Sequence, residues 1–314
     1  MTRLGVITNP TAGSGRGRRW GAEALTALAA RGHQIRDLSR GSWAGAFDAA
    51  EAHRRDIDAL VVVGGDGMVH LGVQVCATRK LPLGIVAAGS GNDAAIALGL
   101  PGPAGEAAGA RIDEGLRGKV ATVDLGAVTG PGIELPAKPR YFTAVLSAGI
   151  DAAVAAYAQH MPFPRGPVKY KVATMREVPR FKPYGVRVEV DGEQWEQECT
   201  LVAVANGPLF GGGLIISPAS SLVDGKLEVV LAAPLKRREI MKIFPKLYDG
   251  SHLDDPRVRV VTGRKITISQ TEAGATLPPA FADGELVGAE PLTVTVAPRA
   301  LRVLGATPTV AWET

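Results

Sequence analysis

Residues 59–67 read Ala-Leu-Val-Val-Val-Gly-Gly-Asp-Gly, and residues 82–93 read Pro-Leu-Gly-Ile-Val-Ala-Ala-Gly-Ser-Gly-Asn-Asp. In each stretch an apolar run, typical of a buried parallel strand, leads directly into a glycine-rich turn. Ligands of open α/β sheets bind at the carboxyl ends of strands, where both turns are expected to lie. Glycine there lets backbone N–H groups approach phosphate oxygens, because no Cβ intervenes. The carboxylates of Asp66 and Asp93 in these turns favour a nucleotide bound with a divalent cation over a bare phosphate.

A third turn of the same kind follows the first predicted strand, Arg3–Thr8. Residues 9–17 form a glycine-rich loop, and a helix is predicted from about Arg18 to Ala30. This order presents the positive end of a helix to phosphate, and Arg16 is placed to add charge-assisted bonds. The loop lacks the Gly-Lys-Ser/Thr ending of a Walker A motif and the final glycine step of a dinucleotide fingerprint. A simple NAD(P)-dependent dehydrogenase is therefore disfavoured.

Strands and helices alternate up to about residue 123, which predicts a doubly wound parallel sheet. Beyond that point, strands joined by Gly, Pro and Asp-Gly turns predict a second, mainly antiparallel β domain. The other predicted strands are 32–38, 184–190, 197–205, 226–232, 258–261 and 264–269. The predicted helices are 44–53, 68–77, 94–98 (capped by Asn92-Asp93), 168–178 and 237–248.

The composition is that of a globular chain of 314 residues, with 46% hydrophobic and 21% charged residues, long enough for two domains. A net charge of +4 without an aromatic–basic stripe argues against nucleic acid as a partner. Cys76 and Cys199 stand in apolar contexts, which predicts no disulfide framework and a cytoplasmic location. No stretch reaches the length of a transmembrane segment. The basic segment 165–171 is interpreted either as a lip that meets the bilayer or as a loop leading into a helix.

The ordered set of motifs resembles the bacterial diacylglycerol kinase family, which includes the sphingosine and ceramide kinases. In the first half the resemblance rests on Asn-Pro-x-Ala-Gly-x-Gly-Arg at 9–16, Gly-Gly-Asp-Gly at 64–67 and Gly-Ser-Gly-Asn-Asp at 89–93. In the second half it rests on Asn-Gly at 206–207, the glycines at 211–213, Ser-Pro-Ala at 217–219, Asp-Gly-Lys-Leu at 224–227 and Asp-Gly-Glu at 283–285. The resemblance covers nearly the whole chain.

This resemblance implies an NAD kinase/diacylglycerol kinase-like α/β domain at 1–123, to which residues 291–314 return. It also implies a β-rich lipid-binding domain at 124–290, with a cleft between the two domains. The implied activity is ATP-dependent transfer of the γ-phosphate, with Mg²⁺, to a hydroxyl of diacylglycerol or a related lipid. The implied setting is the cytoplasm, at the inner membrane surface, with a lipid substrate and no nucleic acid.

The resemblance also assigns roles to individual residues. Asp283 is expected to be the general base, and a structural magnesium is expected at Asp224 with the carbonyls of Ser221 and Lys226. Asp66 is the candidate for a magnesium-linked carboxylate at the nucleotide. The expected nucleotide contacts are Asn9, Pro10, Thr11, Ala12, Gly13, Arg16, Ser39, Gly64, Gly65, Asp66, Gly67, Met68, Ser90, Asn92, Asp93 and Glu285.

Each aspartate also has a purely structural interpretation. Asp66 and Asp93 are placed to cap helices, and Asp224 to form a simple β-turn. The triplet Asp-Gly-Glu occurs twice, and Asp-Gly is a strong hairpin signal. The earlier copy, at Asp191, is predicted to be a turn and nothing more.

The chain departs from the family pattern directly after Gly-Gly-Asp-Gly. Most members continue Thr-x-Asn-Glu, whereas this chain has Met68, Val69, His70 and Leu71, and Ala94 replaces an aromatic residue. His70 either donates to phosphate or faces the core. These changes keep a non-catalytic nucleotide-binding regulator open as an alternative. A soluble kinase of the NAD kinase type is a further alternative, although the late Asp-Gly-Glu argues against it.

Overall fold

The computed structural model of the chain describes residues 1–100, 105–131, 133, 139–161, 163 and 167–308. Two compact units are present. The first comprises residues 1–125 with the described part of 298–310, and the second comprises residues 126–297. Residues 165 and 166 of the basic segment, and residues 309–314 of the expected C-terminal return, lie outside the described residues.

The first unit alternates strand and helix. Its elements are β1 (Arg3–Thr8), α1 (Ala12–Ala30), β2 (Gln34–Asp37), α2 (Trp43–His53), β3 (Ala59–Gly64), α3 (Asp66–Cys76), β4 (Leu83–Ala87), α4 (Asp93–Ala97) and α5 (Gly105–Leu116). The strands are parallel in the order β2-β1-β3-β4. The strand β5 (Val120–Thr129) leads into the second unit.

One core layer of the first unit lies between this sheet and the helices α1 and α5. Val6 of β1 and Val61 of β3 pack with Leu28 of α1 and Ile112 of α5, and all four side chains are buried. Burying such aliphatic side chains contributes about 1.5–3 kcal/mol each to the stability of the unit.

The second unit consists mainly of antiparallel strands. Its elements are β6 (Arg140–Phe142), β7 (Val145–Gly149), α6 (Ile150–His160), α7 (Pro167–Glu177), β8 (Tyr184–Val190), β9 (Glu193–Cys199), β10 (Leu201–Ala205), β11 (Leu209–Phe210), β12 (Leu214–Ile215), β13 (Leu227–Ala232), α8 (Arg237–Ile243), β14 (Val258–Gly263), β15 (Lys265–Gln270), β16 (Ala280–Ala282), β17 (Glu285–Gly288) and β18 (Leu292–Leu304). The unit boundary falls inside β18, whose Val303 pairs in parallel with Leu83 of β4.

Two antiparallel layers share the core of the second unit. One layer has the order β14-β13-β10-β7-β16-β17, and the other contains the antiparallel strands β15, β8 and β9 with the first half of β18. In β8, Val186 and Val188 are buried while Arg187 between them is exposed, as the two-residue period of a strand requires. Their side chains meet Val202 and Val229 of the facing layer in one apolar cluster.

Two predicted elements differ from the structure. The strand predicted over 197–205 is two strands, because Thr200 forms the corner where the chain passes from one layer to the other. Its hydroxyl donates to the Ala233 carbonyl at 2.9 Å and accepts the Leu235 N–H at 2.8 Å. The helix predicted over 237–248 is α-helical only to Ile243 and continues as a 3-10 turn over Phe244–Tyr248. Pro245 lies at the start of that turn and has no N–H for an α-helical bond.

Cys76 and Cys199 are both buried and neither forms a disulfide. Burial raises the pKa of the Cys199 thiol to about 12, so the thiol is inert at neutral pH. Within the described ranges, no helix combines the length and apolar character that crossing a bilayer requires.

Candidate active site

Three glycine-rich loops leave the same edge of the parallel sheet of the first unit. The register pairs Thr8 of β1 with Val63 of β3, and Gly64 of β3 with Ala87 of β4. The chain therefore leaves all three strands at nearly the same level, and the predicted phosphate loops are neighbours. The Asn9 N–H donates to the Val63 carbonyl at 2.9 Å, which ties the first loop to the second.

The second and third loops touch through two glycines. A Cβ built on Gly65 would lie 2.9 Å from the Cα of Gly89, and a Cβ built on Gly89 would lie 2.4 Å from the Cα of Gly65. Real Cβ atoms do not approach other carbon atoms so closely. Both positions thus require glycine for loop packing, independently of any role towards phosphate. Gly64 is similarly restricted, since its Cβ would lie 2.4 Å from Cγ of Met68.

Asp66 joins the second loop to the third. Its carboxylate accepts the Asn92 N–H at 3.0 Å and the Ala94 N–H at 3.3 Å. Because Ala94 lies in the first turn of α4, Asp66 caps this neighbouring helix. Asn92 is the N-cap residue of α4, as predicted, but its side chain makes no capping bond to the helix. Asn92 adopts a left-handed conformation with φ of 67°, and its Oδ1 accepts the Gly89 N–H at 2.8 Å.

The first loop is built around Asn9 and Arg16. Oδ1 of Asn9 accepts both the backbone N–H of Thr11 at 3.1 Å and its hydroxyl at 2.8 Å. The following residues 13–15 have φ of 55°, 61° and 97°, so that the regular part of α1 begins after them. Nε of Arg16 donates to the Gly13 carbonyl at 2.9 Å and Nη2 donates to the Gly89 carbonyl at 2.8 Å. Arg16 thus bridges the first and third loops, a role that the sequence does not reveal.

The remaining predicted nucleotide contacts of the first unit differ in accessibility. Pro10 and Ser90 are exposed, Ala12, Gly67 and Met68 are partly exposed, and Asp93 is buried. Oγ of Ser39 accepts the Thr8 N–H at 2.9 Å. His70 is fully buried, near Trp43 and within 3.3 Å of the Gln74 amide, so the core interpretation of His70 is the one that the structure supports.

In the second unit, Asp283 stands at the tip of the hairpin between β16 and β17. Its carboxylate accepts the Thr143 N–H at 2.9 Å, the Thr143 hydroxyl at 3.1 Å and the Ala144 N–H at 2.8 Å. Its own N–H donates to the Val145 carbonyl at 3.1 Å. These bonds fix the carboxylate of a half-buried side chain in one orientation. Glu285 begins β17 two residues later and is also half-buried.

Asn206 holds the segment that binds Asp283. Its side-chain amide donates to the Thr143 carbonyl at 2.8 Å, and its backbone N–H donates to the Ala144 carbonyl at 2.9 Å. Asn206 is fully buried. Thr143 and Ala144 belong to none of the sequence motifs, and the sequence did not indicate them as site residues. Their partner Asp283 lies about 140 residues away in the chain, and no local pattern indicates such a contact.

The first Asp-Gly-Glu copy forms a hairpin, as predicted. Asp191 lies between β8 and β9, and its Oδ1 accepts the Lys265 N–H at 2.8 Å while Oδ2 accepts the Arg264 N–H at 3.0 Å. The side chain is exposed, in contrast to that of Asp283. Beyond being a turn, Asp191 therefore anchors the start of β15.

The predicted structural magnesium loop contains an Asx turn. Oδ1 of Asp224 accepts the Lys226 N–H at 3.0 Å, and Gly225 has φ of 71°. Oγ of Ser221 is 3.4 Å from the Val223 N–H. The adjacent Glu228 is buried, accepts the Ser220 hydroxyl at 2.7 Å, and has its pKa raised by burial. Among the described residues no three His, Cys, Asp or Glu side chains form a metal cluster.

Comparison with known proteins identifies the family. The model of the diacylglycerol kinase catalytic domain matches residues 3–128, and that of the YegS C-terminal NAD kinase beta sandwich-like domain matches residues 144–305. A diacylglycerol kinase of Mycobacterium tuberculosis is 32% identical over 308 residues, which are 96% of this chain and 94% of that protein. The chain belongs to the diacylglycerol kinase catalytic-domain family. It is accordingly a kinase, a phosphotransferase of that family.

A more distant relative matches in sequence, and a solved structure matches in fold. The diacylglycerol kinase of Bacillus subtilis is 25% identical over 276 residues, covering 87% of each chain. A crystal structure of a candidate diacylglycerol kinase from Bacillus anthracis strain Sterne matches with a TM-score of 0.75 at 23% identity, covering 99% of this chain and 98% of that one. The predicted fold class, a parallel α/β domain followed by a mainly antiparallel β domain, is confirmed. The three loops fall within the match to the catalytic domain, and Asp283 within the match to the β-sandwich domain.

Proposed function

We propose that this kinase transfers the γ-phosphate of ATP to a hydroxyl of diacylglycerol or a related lipid, at the cytoplasmic face of a membrane. The observation that carries the proposal is the fixed carboxylate of Asp283, with its three hydrogen bonds from Thr143 and Ala144. A chain with three adjoining glycine loops and one such carboxylate has the parts that phosphoryl transfer needs. These parts are a polyphosphate platform and a base for the accepting hydroxyl.

The loops of the first unit are proposed to hold the nucleotide. Gly13 and Gly65 are among the proposed contacts, and Asn9 and Asn92 fix the loop conformations through their side-chain oxygens. The proposed nucleotide contacts of the first unit also include Pro10, Thr11, Ala12, Arg16, Ser39, Gly64, Gly67, Met68, Ser90 and Asp93. Backbone N–H groups bind phosphate oxygens well, because they donate without an added side chain and lose no rotamer freedom.

Magnesium is proposed to accompany ATP beside Asp66. A bound Mg²⁺ ion neutralises the negative charge that develops on the phosphate oxygens during transfer. Mg²⁺ is commonly held by only one or two carboxylates together with phosphate oxygens and waters, so a full protein cluster is not required. Asp66 suits this role because its carboxylate is oriented by the N–H groups of Asn92 and Ala94. The Asp224 loop, with the carbonyls of Ser221 and Lys226, is proposed to hold a second, structural Mg²⁺.

Asp283 is proposed to take the proton of the accepting hydroxyl. The hydroxyl oxygen then forms the new bond to the γ-phosphorus, the bond from that phosphorus to the bridging oxygen breaks, and ADP leaves with that oxygen. A carboxylate held in one orientation accepts this proton without first reorganising, which is the condition for efficient general-base catalysis. Glu285, two residues on, is proposed as a nucleotide contact.

The test is transfer of labelled γ-phosphate from ATP to a panel of acceptors, with and without Mg²⁺. The panel contains diacylglycerol, ceramide, sphingosine and phosphatidylglycerol in detergent micelles, and NAD in solution. Magnesium-dependent labelling of a lipid supports the proposal and identifies the acceptor. Labelling of NAD alone, or ATP binding without labelling of any acceptor, overturns it in favour of a soluble kinase or a non-catalytic regulator.

A further inference from the structure

Trp43 presents an aromatic ring at the surface of the first unit. It is the first residue of α2, and of the aromatic side chains described in that unit it is the most exposed, at 37%. Its ring stacks on Phe47, one helical turn later, with the centroids 5.4 Å apart and the planes at 8°. The buried ring of His70 in α3 lies 6.5 Å away. Two neighbouring rings therefore hold the indole in place, and the surface that they leave uncovered faces solvent.

The segment before Trp43 lies at the same sheet edge as the three glycine loops. It follows β2, which is parallel to β1. The Leu38 N–H donates to the Val6 carbonyl at 2.8 Å, and Oγ of Ser39 accepts the Thr8 N–H at 2.9 Å. Neighbouring strands are about 4.8 Å apart, so the ends of β2 and β3, with β1 between them, are separated by about 10 Å. The segment before Trp43 is thus the next connection along the edge after the glycine loops.

The other apolar side chains near this edge are less suited to stacking with a base. Trp20 of α1 is only partly exposed, and the guanidinium of Arg16 lies 5.3 Å from the centroid of its ring. Ile96 belongs to α4, which follows the third loop at the other end of the row. It is 39% exposed, but it has no aromatic ring. Trp43 is the side chain that combines exposure, an aromatic surface and a fixed position.

We propose that the base of the nucleotide stacks on Trp43 while its phosphates occupy the glycine loops. This inference rests on the nucleotide platform proposed above, and it adds the residue that recognises the base. Bases stack on aromatic side chains through their π-faces, which every base possesses. Stacking alone therefore does not separate adenine from guanine. A purine covers more of the indole than a pyrimidine does, so the site is expected to favour ATP and GTP over CTP.

The test compares ATP with inorganic tripolyphosphate, which carries the phosphates without a base. Binding of each ligand to the full chain is measured by calorimetry in the presence of Mg²⁺. Trp43→Leu keeps an apolar side chain against Phe47 but has no π-face, and Trp43→Phe keeps an aromatic ring. The matched control is Tyr248→Leu, since Tyr248 is an aromatic residue that is 58% exposed on the second unit.

We expect Trp43→Leu to bind ATP about tenfold or more weakly than the wild type and to bind tripolyphosphate within about twofold of it. Trp43→Phe is expected to keep ATP binding within about threefold, because a ring remains for stacking. Tyr248→Leu is expected to bind both ligands as the wild type does. Circular dichroism verifies that the variants are folded.

Tryptophan fluorescence tests the same contact without a large loss of affinity. ATP is expected to quench the emission of the wild type, and the quench is expected to disappear in Trp43→Phe and to persist in Trp20→Phe. This measurement decides the matter even where Trp43→Leu does not fold, because Trp43→Phe retains an aromatic side chain beside Phe47.

Three results would overturn the proposal: unchanged ATP affinity in folded Trp43→Leu, equal losses for ATP and tripolyphosphate, or an undiminished quench in Trp43→Phe. Equal losses for the two ligands would make Trp43 a support of the loops and not a base contact. A wild type that binds neither ligand would contradict the nucleotide platform itself, and the stacking proposal with it. A wild type that labels no lipid leaves the binding of ATP to be measured, so the two proposals fail separately.

Discussion

Asp283 and Asp191 adopt the same backbone conformation in two hairpins that share the triplet Asp-Gly-Glu. Their φ angles are 52° and 50°, and each is followed by a glycine with positive φ. Each carboxylate accepts two consecutive backbone N–H groups from a neighbouring segment. Comparing the two aspartates separates the structural role of the residue in the hairpin from a catalytic role, because only Asp283 is proposed to act on a substrate.

Replacing either aspartate with alanine is expected to destabilise the fold. Each variant leaves two backbone N–H groups without their carboxylate acceptor, a loss of about 1–3 kcal/mol when the groups stay buried. Asp283→Ala is expected at the upper end of that range and Asp191→Ala at the lower end, since Asp283 is half-buried and Asp191 is exposed. Urea-induced unfolding measures both values. A greater loss for Asp191→Ala would contradict this account of the two hairpins.

Asp66→Asn is expected to raise the Mg²⁺ concentration needed for half-maximal transfer by about tenfold, because an amide is a much poorer ligand for Mg²⁺ than a carboxylate. The amide oxygen still accepts one of the two N–H groups of Asn92 and Ala94, so the loop survives at a modest cost in stability. Magnesium titration of the transfer rate is the measurement. Asp58→Asn, which removes only the exposed pair with Arg3, is the control. An unchanged Mg²⁺ requirement in Asp66→Asn would leave Asp66 only its capping role.

Gly89→Ala is expected to destabilise the first unit, and Gly41→Ala is its matched control. The new Cβ at position 89 would lie 2.4 Å from the Cα of Gly65, whereas a Cβ at position 41 meets nothing within 4 Å. Overpacking of this kind costs about 1–3 kcal/mol. Thermal unfolding should show a lowered midpoint for Gly89→Ala and an unchanged or slightly raised midpoint for Gly41→Ala. Equal midpoints in the two variants would show that the loops containing Gly65 and Gly89 can move apart without loss of stability.

Asp151 in the first turn of α6 is expected to make stability fall between about pH 4 and pH 6. Burial raises the pKa of its carboxyl from 3.8 to about 6, an effect that the Ser147 hydroxyl only partly offsets. The folded state therefore binds more protons than the unfolded state in this window, so the free energy of unfolding decreases as the pH rises. A shift of about two units corresponds to at most about 3 kcal/mol at pH 7.

Asp151→Asn removes this proton linkage. The variant is expected to be more stable than the wild type at pH 8 and nearly equal to it at pH 4, as measured by urea-induced unfolding at both values. An advantage of the same size at both pH values would show that the effect does not come from ionisation of Asp151.

Much of the fold was predictable because local sequence patterns indicate most of its strands. The apolar runs at Ala59–Gly64 and Leu83–Ala87, each leading into a glycine-rich turn, indicate the parallel sheet and the edge at which its loops lie. The break at Thr200 was not predictable, because the residues on both sides have ordinary strand character and only tertiary bonds to Ala233 and Leu235 make the corner. The change to a 3-10 turn after Ile243 did have a local signal in Pro245.

The parts of the candidate site that lie on one continuous segment were predictable from their motifs. The contacts between residues far apart in the chain were not. The loops containing Asp66 and Asp283 follow from their glycines. The bonds that orient these carboxylates come from residues 26 and 140 positions away in sequence, Asn92 and Thr143. Asn92 lies at the N-cap position of α4 as predicted, but its side chain bonds to Gly89, and the carboxylate of Asp66 makes the capping bond to α4.

The most direct test of the proposed mechanism compares Asp283→Ala with Asp191→Ala in transfer of labelled phosphate to the best lipid acceptor. Removal of a general base lowers a rate by about 10²–10⁴-fold, so kcat of Asp283→Ala is expected to fall by that factor. Asp191→Ala, which alters the same kind of hairpin, is expected to stay within about threefold of the wild type. Near-normal transfer by folded Asp283→Ala, or an equal loss in both variants, would contradict the assignment of Asp283 as the base.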